Sequence, residues 1–338
     1  MIEGHGDDLY RYNSQVRINF SSNICQQTDH TALKAHLANH LDLVNHYPEP
    51  QPRKLEEQLA EYHDIPAECV MVTSGVTEAI YLIAQMTRGG MSVIPQPTFS
   101  EYADACRLNE HIISYEYEND QKLLPTRRIY WLCNPNNPTG GVMTEGIIDH
   151  LIATNPIHLF VVDQSYEGYT AAKLVDVKQV MRYPNLILLH SLSKRYAVPG
   201  MRVGYLTAHP ETLRHLRQYQ RPWSVGALAI EGARFLIAQD KPAISDLEGL
   251  LKETARLRDA LRALPGISVY DTDSTFMLCM IEQASSLQLK NWLIDHEGIL
   301  IRNCSNFANL SPHHFRIATQ SPEENDVLIS ALHRFLNE

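Results

Sequence analysis

Lys194 lies in the stretch "HSLSKRYAVPGMRVGY" (residues 190–205), just after an apolar run, with two serines before it and an arginine eight residues beyond. An ammonium at the end of a buried strand is costly unless it is paired, deprotonated or used covalently. A lysine that forms an imine with an aldehyde meets that condition. Its neighbours suit a phosphate: Ser191 and Ser193 offer hydroxyls, and Arg202 offers a planar cationic fork. An aldehyde carrying a phosphate and held by a lysine describes pyridoxal phosphate. Taken alone, the string also fits a solvated strand end, so the other strand ends have to decide.

In "VVDQSYEGY", Asp163 closes another apolar run, where a protonated pyridine nitrogen would be its partner and would keep the ring an electron sink. A helix-capping role is the alternative. Tyr166, three residues on, can donate to the cofactor's phenolic oxygen, and Asn137 in "CNPNNPTGG" can reach the same atom unless that string is merely a turn. In "TSGVTEAIYLIAQM" a glycine opens a helix, so the backbone amides of Gly75, Val76 and Thr77, with the Thr77 hydroxyl, make an anion site. Phe99 in "QPTFSEY" can lie flat on the ring or belong to the core.

The elements that must position these residues alternate. From about residue 69 to 210, the runs "CVMVTSG", "MSVIPQP", "RIYWLCNP", "LFVVDQ", "LILLHSLS" and "RVGYLTA" are apolar almost throughout, with helix-like segments between them. Such strands belong to a sheet covered on both faces, hence an α/β fold with a mostly parallel sheet sandwiched by helices. Ligands bind outside the carboxyl ends of such strands, where the polar punctuation falls. Beyond residue 229 the pattern changes to a long helix at "ISDLEGLLKETARLRDALRAL", a strand at "SVYDTDSTFMLCMIE", a helix at "LQLKNWLIDH", strands at "ILIRNCS" and "HFRIAT" and a final helix, which reads as a smaller α+β domain. The expected division is an N-terminal arm with part of the small domain (1–48), a large cofactor-binding domain (49–228) and a C-terminal small domain (229–338).

The 338 residues suffice for a large domain and a smaller one, and 44% hydrophobic with 20% charged residues excludes a disordered or fibrous chain. A net charge of -10 leaves no basic footprint for nucleic acid or anionic membrane. The polar start "MIEGHGDDLY" does not resemble a signal peptide and no apolar run approaches ~20 residues, so a cytoplasmic protein is expected. The six scattered cysteines form no C-x-x-C, and the sixteen histidines, His313-His314 among them, read as surface or core groups, so no metal site is expected.

In order, S-G-x-T-E, P-x-F, N-P-N-N-P-T-G, D-x-x-Y, S-x-S-K and R-x-G-Y resemble the fold-type I pyridoxal-phosphate enzymes of the class I/II aminotransferase family, from about residue 19 to the end. The resemblance implies Lys194 as imine former and proton shuttle, Asp163 on the pyridine nitrogen, and Asn137 with Tyr166 on the phenolic oxygen. It implies Gly75, Val76, Thr77, Ser191, Ser193 and Arg202 around the phosphate and Phe99 stacked on the ring. One departure is Gln164, where the family commonly has glutamate.

Two subgroups are most similar. "NHYPEPQPRKLEEQLAEYH" resembles a segment of histidinol-phosphate aminotransferases and threonine-phosphate decarboxylases, which implies a homodimer with shared sites in which Tyr47 reaches the neighbouring subunit's cofactor phosphate. Arg302 and Arg316, in "ILIRNCSNF" and "HHFRIA", are implied to hold the phosphate and carboxylate of a small phosphorylated amino substrate, and Asn23 to help hold it. "INFSSNI", "RPWSVGALA", "IRNCSNF" and His5-Gly6 look closer to the decarboxylases of cobalamin side-chain synthesis, whereas Asp7-Asp8 stands where that pattern tends to have Gly-Asn and Tyr166 is more typical of the aminotransferases. The expected reaction is therefore decarboxylation of L-threonine O-3-phosphate, with amino transfer from a histidinol-phosphate-type substrate to 2-oxoglutarate as the alternative. A cofactor-binding regulator would need a basic DNA-binding extension of ~70 residues, which is not expected here.

Overall fold

The computed structural model describes residues 8–12, 15–115 and 126–338. The strands, in chain order, are β1 (Ile18–Asn19), β2 (Val70–Thr73), β3 (Met91–Val93), β4 (Ile112–Ser114), β5 (Arg128–Cys133), β6 (Leu159–Asp163), β7 (Leu186–His190), β8 (Gly204–Ala208), β9 (Ile267–Val269), β10 (Phe276–Ile281), β11 (Ile299–Leu300), β12 (Arg302–Asn303) and β13 (His314–Ala318). Seven of them form one sheet in the order β2-β8-β7-β6-β5-β3-β4. All neighbours are parallel except around β8, which runs antiparallel to both β2 and β7.

The unbroken apolar runs have a direct cause: successive side chains of one strand go to opposite faces, and both faces are buried. Val70, Val72, Leu186 and Leu188 join one core cluster, and Met71, Ile187, Leu189 and Leu206 join another. Helix Gly75–Met86 contributes Ala79, Ile80 and Ile83 to the second, and helix Arg53–His63 contributes Leu55 and Leu59 to the first.

A four-stranded antiparallel sheet, β12-β13-β10-β9, carries a third core with helices Leu247–Arg262 and Pro322–Asn337. The run expected as one strand at "SVYDTDSTFMLCMIE" is two, β9 and β10, because the Asp, Ser and Thr residues between them turn the chain back on itself. The expected "ILIRNCS" strand is likewise split into β11 and β12.

Helix Ala227–Gln239 spans the expected boundary at 229, yet its Ala233, Leu236 and Ile237 pack into the large sheet's first cluster. The arm serves both units: β1 pairs in parallel with β11 and Phe20 enters the small core, while Leu33 of helix Thr31–Ala38 enters the large one. Residues 18–33 therefore run across the join, beside the carboxyl ends of the large sheet's strands.

Candidate active site

One cavity of about 290 Å³ lies between the ends of β5, β6 and β7, the N-terminus of helix Gly75–Met86, the arm and β13. Asn23, Val76, Thr77, Phe99, Asn137, Asp163, Tyr166, Ser191, Ser193, Lys194, Arg202 and Arg316 all line it. A neighbouring cavity of about 280 Å³ shares Asn23 but has no lysine or arginine in its wall, so it offers a phosphate no cationic partner.

Asp163 is buried at the end of β6. Its Oδ2 accepts from the Tyr102 hydroxyl at 2.6 Å and its Oδ1 from the Ser165 backbone N–H at 2.8 Å. Burial raises its pKa, and those two hydrogen bonds oppose the rise. Burial, and then the same carboxylate, push the Tyr102 phenol well up. Tyr102 was not singled out in the sequence; it stands three residues after Phe99, and their rings meet edge to face at 5.7 Å.

Lys194 sits in the one-turn helix Leu192–Arg195 that follows β7, where the Ser191 hydroxyl accepts from the Lys194 backbone N–H at 3.3 Å. Its Nζ lies 5.5 Å from the centre of the Tyr166 ring and pairs with no carboxylate among the described residues. The Tyr169 hydroxyl donates to the Lys194 carbonyl at 2.9 Å, fixing the backbone beneath the amine.

The glycine at 75 is required twice. Its φ of +77° is left-handed, and a Cβ there would stand 2.6 Å from Arg202 Nη2. The Arg202 guanidinium thus lies close against the helix start, whose first-turn amides have no side-chain cap and open beside the wall formed by Val76 and Thr77. Gly204 allows β8 to approach just as closely, since a Cβ there would be 3.0 Å from the Val76 nitrogen.

From the other domain, Arg316 Nη2 donates to the Ser21 carbonyl at 2.6 Å and Nη1 donates to Asn137 Oδ1. Asn23 Nδ2 donates to the Tyr166 hydroxyl at 3.5 Å, while its buried Oδ1 has no partner. An unsatisfied buried acceptor on the wall of a cavity asks for a donor from a bound molecule.

Three expected residues fall outside this wall. Gly75 acts from behind Arg202. Arg302 is buried beside the site as the cross-strand partner of Arg316, donating to Asn306 Oδ1 at 2.9 Å with its guanidinium over the Phe307 ring. Burial, and then the charge of Arg316, lower its pKa to about 10. Tyr47 stands on the outside, 86% exposed and stacked at a tilt near Trp223, so this chain alone does not bring it to its own cavity. Gln164 is buried and donates to the Val175 carbonyl at 3.1 Å, away from the cavity. His5, Gly6 and Asp7 lie outside the described residues.

Behind Lys194 is a polar cluster that sequence reasoning passed over, although each member adjoins a quoted motif. His190, buried, contacts Glu167 Oε2 at 3.2 Å and stacks on Tyr205, whose hydroxyl contacts His63 Nε2 at 2.7 Å. Burial, and next His190, lower the His63 pKa to about 4.

The profile of the family "Aminotransferase class I and II" matches residues 16–332. The chain belongs to the class I and II aminotransferase family. Threonine-phosphate decarboxylase of Salmonella typhimurium is 28% identical over 342 residues, covering 94% of this chain and 91% of the relative. Histidinol-phosphate aminotransferase of Thermoanaerobacter pseudethanolicus is 33% identical over 316 residues, covering 87% and 85%. Among solved structures, the L-threonine-O-3-phosphate decarboxylase of Porphyromonas gingivalis matches with a TM-score of 0.92 at 34% identity, covering 95% of this chain and all of that one.

Members of this family are pyridoxal-phosphate enzymes, and the residues present fit that cofactor. The cavity combines an amine without a carboxylate partner, a buried carboxylate, an uncapped helix start under a guanidinium and an unsatisfied amide oxygen. No helix among the described residues is long and apolar enough to cross a membrane.

Proposed function

We propose that the chain is a lyase that removes carbon dioxide from L-threonine O-3-phosphate. The observation that carries this reading is the pairing of Arg302 with Arg316, opposite each other on β12 and β13. Two guanidiniums in that register repel, and an anionic substrate relieves the repulsion. A compound with both a carboxylate and a phosphate matches two such forks. The close likeness to the Porphyromonas gingivalis decarboxylase along the whole chain supports this substrate over others of the family.

In this reading Lys194 binds the cofactor aldehyde and Asp163 holds its ring nitrogen. Asn137 and Tyr166 hold the phenolic oxygen, and Phe99 packs on the ring. The phosphate is held by the amides of Gly75, Val76 and Thr77 with Ser191, Ser193 and Arg202. When bound, pyridoxal phosphate supplies an electron sink for the substrate bond held perpendicular to its ring.

Arg316, fixed by Asn137 and the Ser21 carbonyl, orients the substrate carboxylate, Arg302 takes the phosphate, and Asn23 offers its free Oδ1 to a donor on the substrate. Lys194 Nζ, freed when the substrate amine takes its place on the cofactor aldehyde, would deliver the proton that replaces the departing carbon dioxide on the substrate's α-carbon, giving aminopropanol phosphate. The site is completed in a homodimer, where Tyr47 of the partner subunit supplies a hydroxyl to the cofactor phosphate. Its exposure in the single chain supports that assignment. The six free cysteines support a cytoplasmic enzyme.

The test is incubation with phosphothreonine and 2-oxoglutarate, with carbon dioxide and glutamate both assayed. Carbon dioxide without glutamate is expected. Glutamate without carbon dioxide would establish the second reading, a histidinol-phosphate-type aminotransferase, which the 33% identical relative favours.

A further inference from the structure

Helix Thr31–Ala38 packs on helix Ala227–Gln239, and at that contact three side chains with no part in the cavity converge: His36, His40 and Glu231. His36 Nε2 lies 2.9 Å and His40 Nε2 3.9 Å from Glu231 Oε1, and the potential donor atoms all lie within 4.8 Å of one another. Nitrogen and oxygen ligands placed about 2.0–2.1 Å from a tetrahedral metal stand roughly 3.3 Å apart. The two measured separations bracket that value. His36 lies in the last turn of helix Thr31–Ala38 and His40 two residues past its end, their rings 4.2 Å apart, and the carboxylate comes from the helix packed against them.

The hydrogen bonds point the same way. His40 Nδ1 is 2.8 Å from the His36 carbonyl oxygen. A carbonyl only accepts, so His40 Nδ1 is the donor there and the ring turns Nε2 toward Glu231. His36 Nε2 donates to Glu231 Oε1 at 2.9 Å, a proton that a bound cation would replace, and His40 Nε2 faces the same oxygen at 3.9 Å. The Nδ1–H bond to a backbone carbonyl is also the contact that commonly orients a metal-bound histidine. His36 is held in place by stacking on Phe235 at 4.3 Å and by the His40 ring at 4.2 Å. Arg234 approaches the other carboxylate oxygen, Oε2, at 3.5 Å and leaves Oε1 to face the histidines. With the three side chains 20–40% exposed, an ion can enter and keep a water as fourth ligand.

We propose that His36, His40 and Glu231 form a binding site for a divalent cation of the zinc class, which pins the N-terminal arm to helix Ala227–Gln239. Two imidazoles and one carboxylate suit zinc rather than magnesium or calcium, which prefer all-oxygen shells. The same arm carries Ser21, Ser22 and Asn23 to the wall of the active-site cavity, so a bound cation steadies that wall from outside.

The experiment is calorimetric titration of chelator-stripped holoenzyme with zinc chloride at neutral pH, together with thermal melts. One zinc per chain and a raised melting temperature are expected. In both His40→Gln and Glu231→Gln the affinity should fall by roughly tenfold or more. The visible absorption of the bound cofactor identifies which variants are folded. Either of two results overturns the proposal: no heat and no melting shift with zinc in about tenfold excess, or unchanged zinc affinity in a folded variant.

Discussion

Asp163 closes β6 and Lys194 follows the neighbouring parallel strand β7 in the middle of a sheet buried on both faces, whereas Arg302 and Arg316 face each other at the edge of a small antiparallel sheet. The first pair is opposite in charge, and its surroundings are set by the core: Tyr102 and Ser165 hold the carboxylate, and Ser191 and Tyr169 hold the lysine backbone. The second pair is alike in charge and is held by loops and the arm, through Asn306, Asn137 and the Ser21 carbonyl. The difference separates two tasks. In the proposed reading, the groups that hold the cofactor lie on the rigid sheet, while the groups that choose the substrate lie on the joint between the two units, where a bound anion would draw the pieces together.

The largest effect follows from removing the amine. Lys194→Ala should abolish the visible cofactor absorption and lower turnover by roughly 10³-fold or more, with an unchanged circular dichroism spectrum. A variant that keeps both the band and the activity would remove the basis for assigning the chemistry to the large sheet.

The next test concerns the polar cluster behind that lysine. His63 has a folded pKa of about 4, below the ordinary value of 6.5, because burial, and then His190, disfavour its charged form. The folded protein therefore binds fewer protons than the unfolded chain between those values. The stabilisation is complete above about pH 6.5 and is lost as pH falls toward 4, by up to about 3 kcal/mol. Denaturant titrations across that range should show the loss, and His63→Gln, which can keep a bond to the Tyr205 hydroxyl, should flatten it. An equal acid slope in the variant would place the sensitivity elsewhere.

Arg316→Ala should act on substrate rather than cofactor. Truncating a buried charge partner costs about 2 kcal/mol or more, so KM for the phosphorylated substrate should rise by roughly 30-fold, while the visible band stays. Loss of the band would show that the two regions are not separable.

The same contrast explains what was legible in the sequence. Asp163 ends one apolar run and Lys194 and Asn137 follow closely on two others, and burial on both faces makes those runs conspicuous, so the large sheet and the strand-end site could be read together. Tyr102 was hidden because its partner, Asp163, is 61 residues away and only the fold brings them together. His190 and Glu167 sit inside quoted motifs, yet nothing in their spacing announces a contact across the strand ends. The break between β9 and β10 was missed because Val, Tyr and Thr favour strands even where a turn is needed. Tyr47 is named in the sequence by family resemblance alone, and the cavity of its own chain does not contain it.

The smallest expected effect is the most pointed test of the comparison. Arg302 is a buried cation facing another cation, with a neutral amide as its hydrogen-bond partner and no carboxylate ion pair among the described residues. Burial alone makes its charge costly, and the charge of Arg316 adds to that cost. Methionine fills similar volume without charge, so Arg302→Met should stabilise the substrate-free protein by about 1 kcal/mol while weakening the phosphorylated substrate. The measurement is a denaturant midpoint set beside KM for the same preparation. A site built for stability would lose both on this substitution. A site that holds two like charges apart for an anion should gain the first and lose the second, and only that opposition of signs supports assigning substrate selection to the edge of the small sheet.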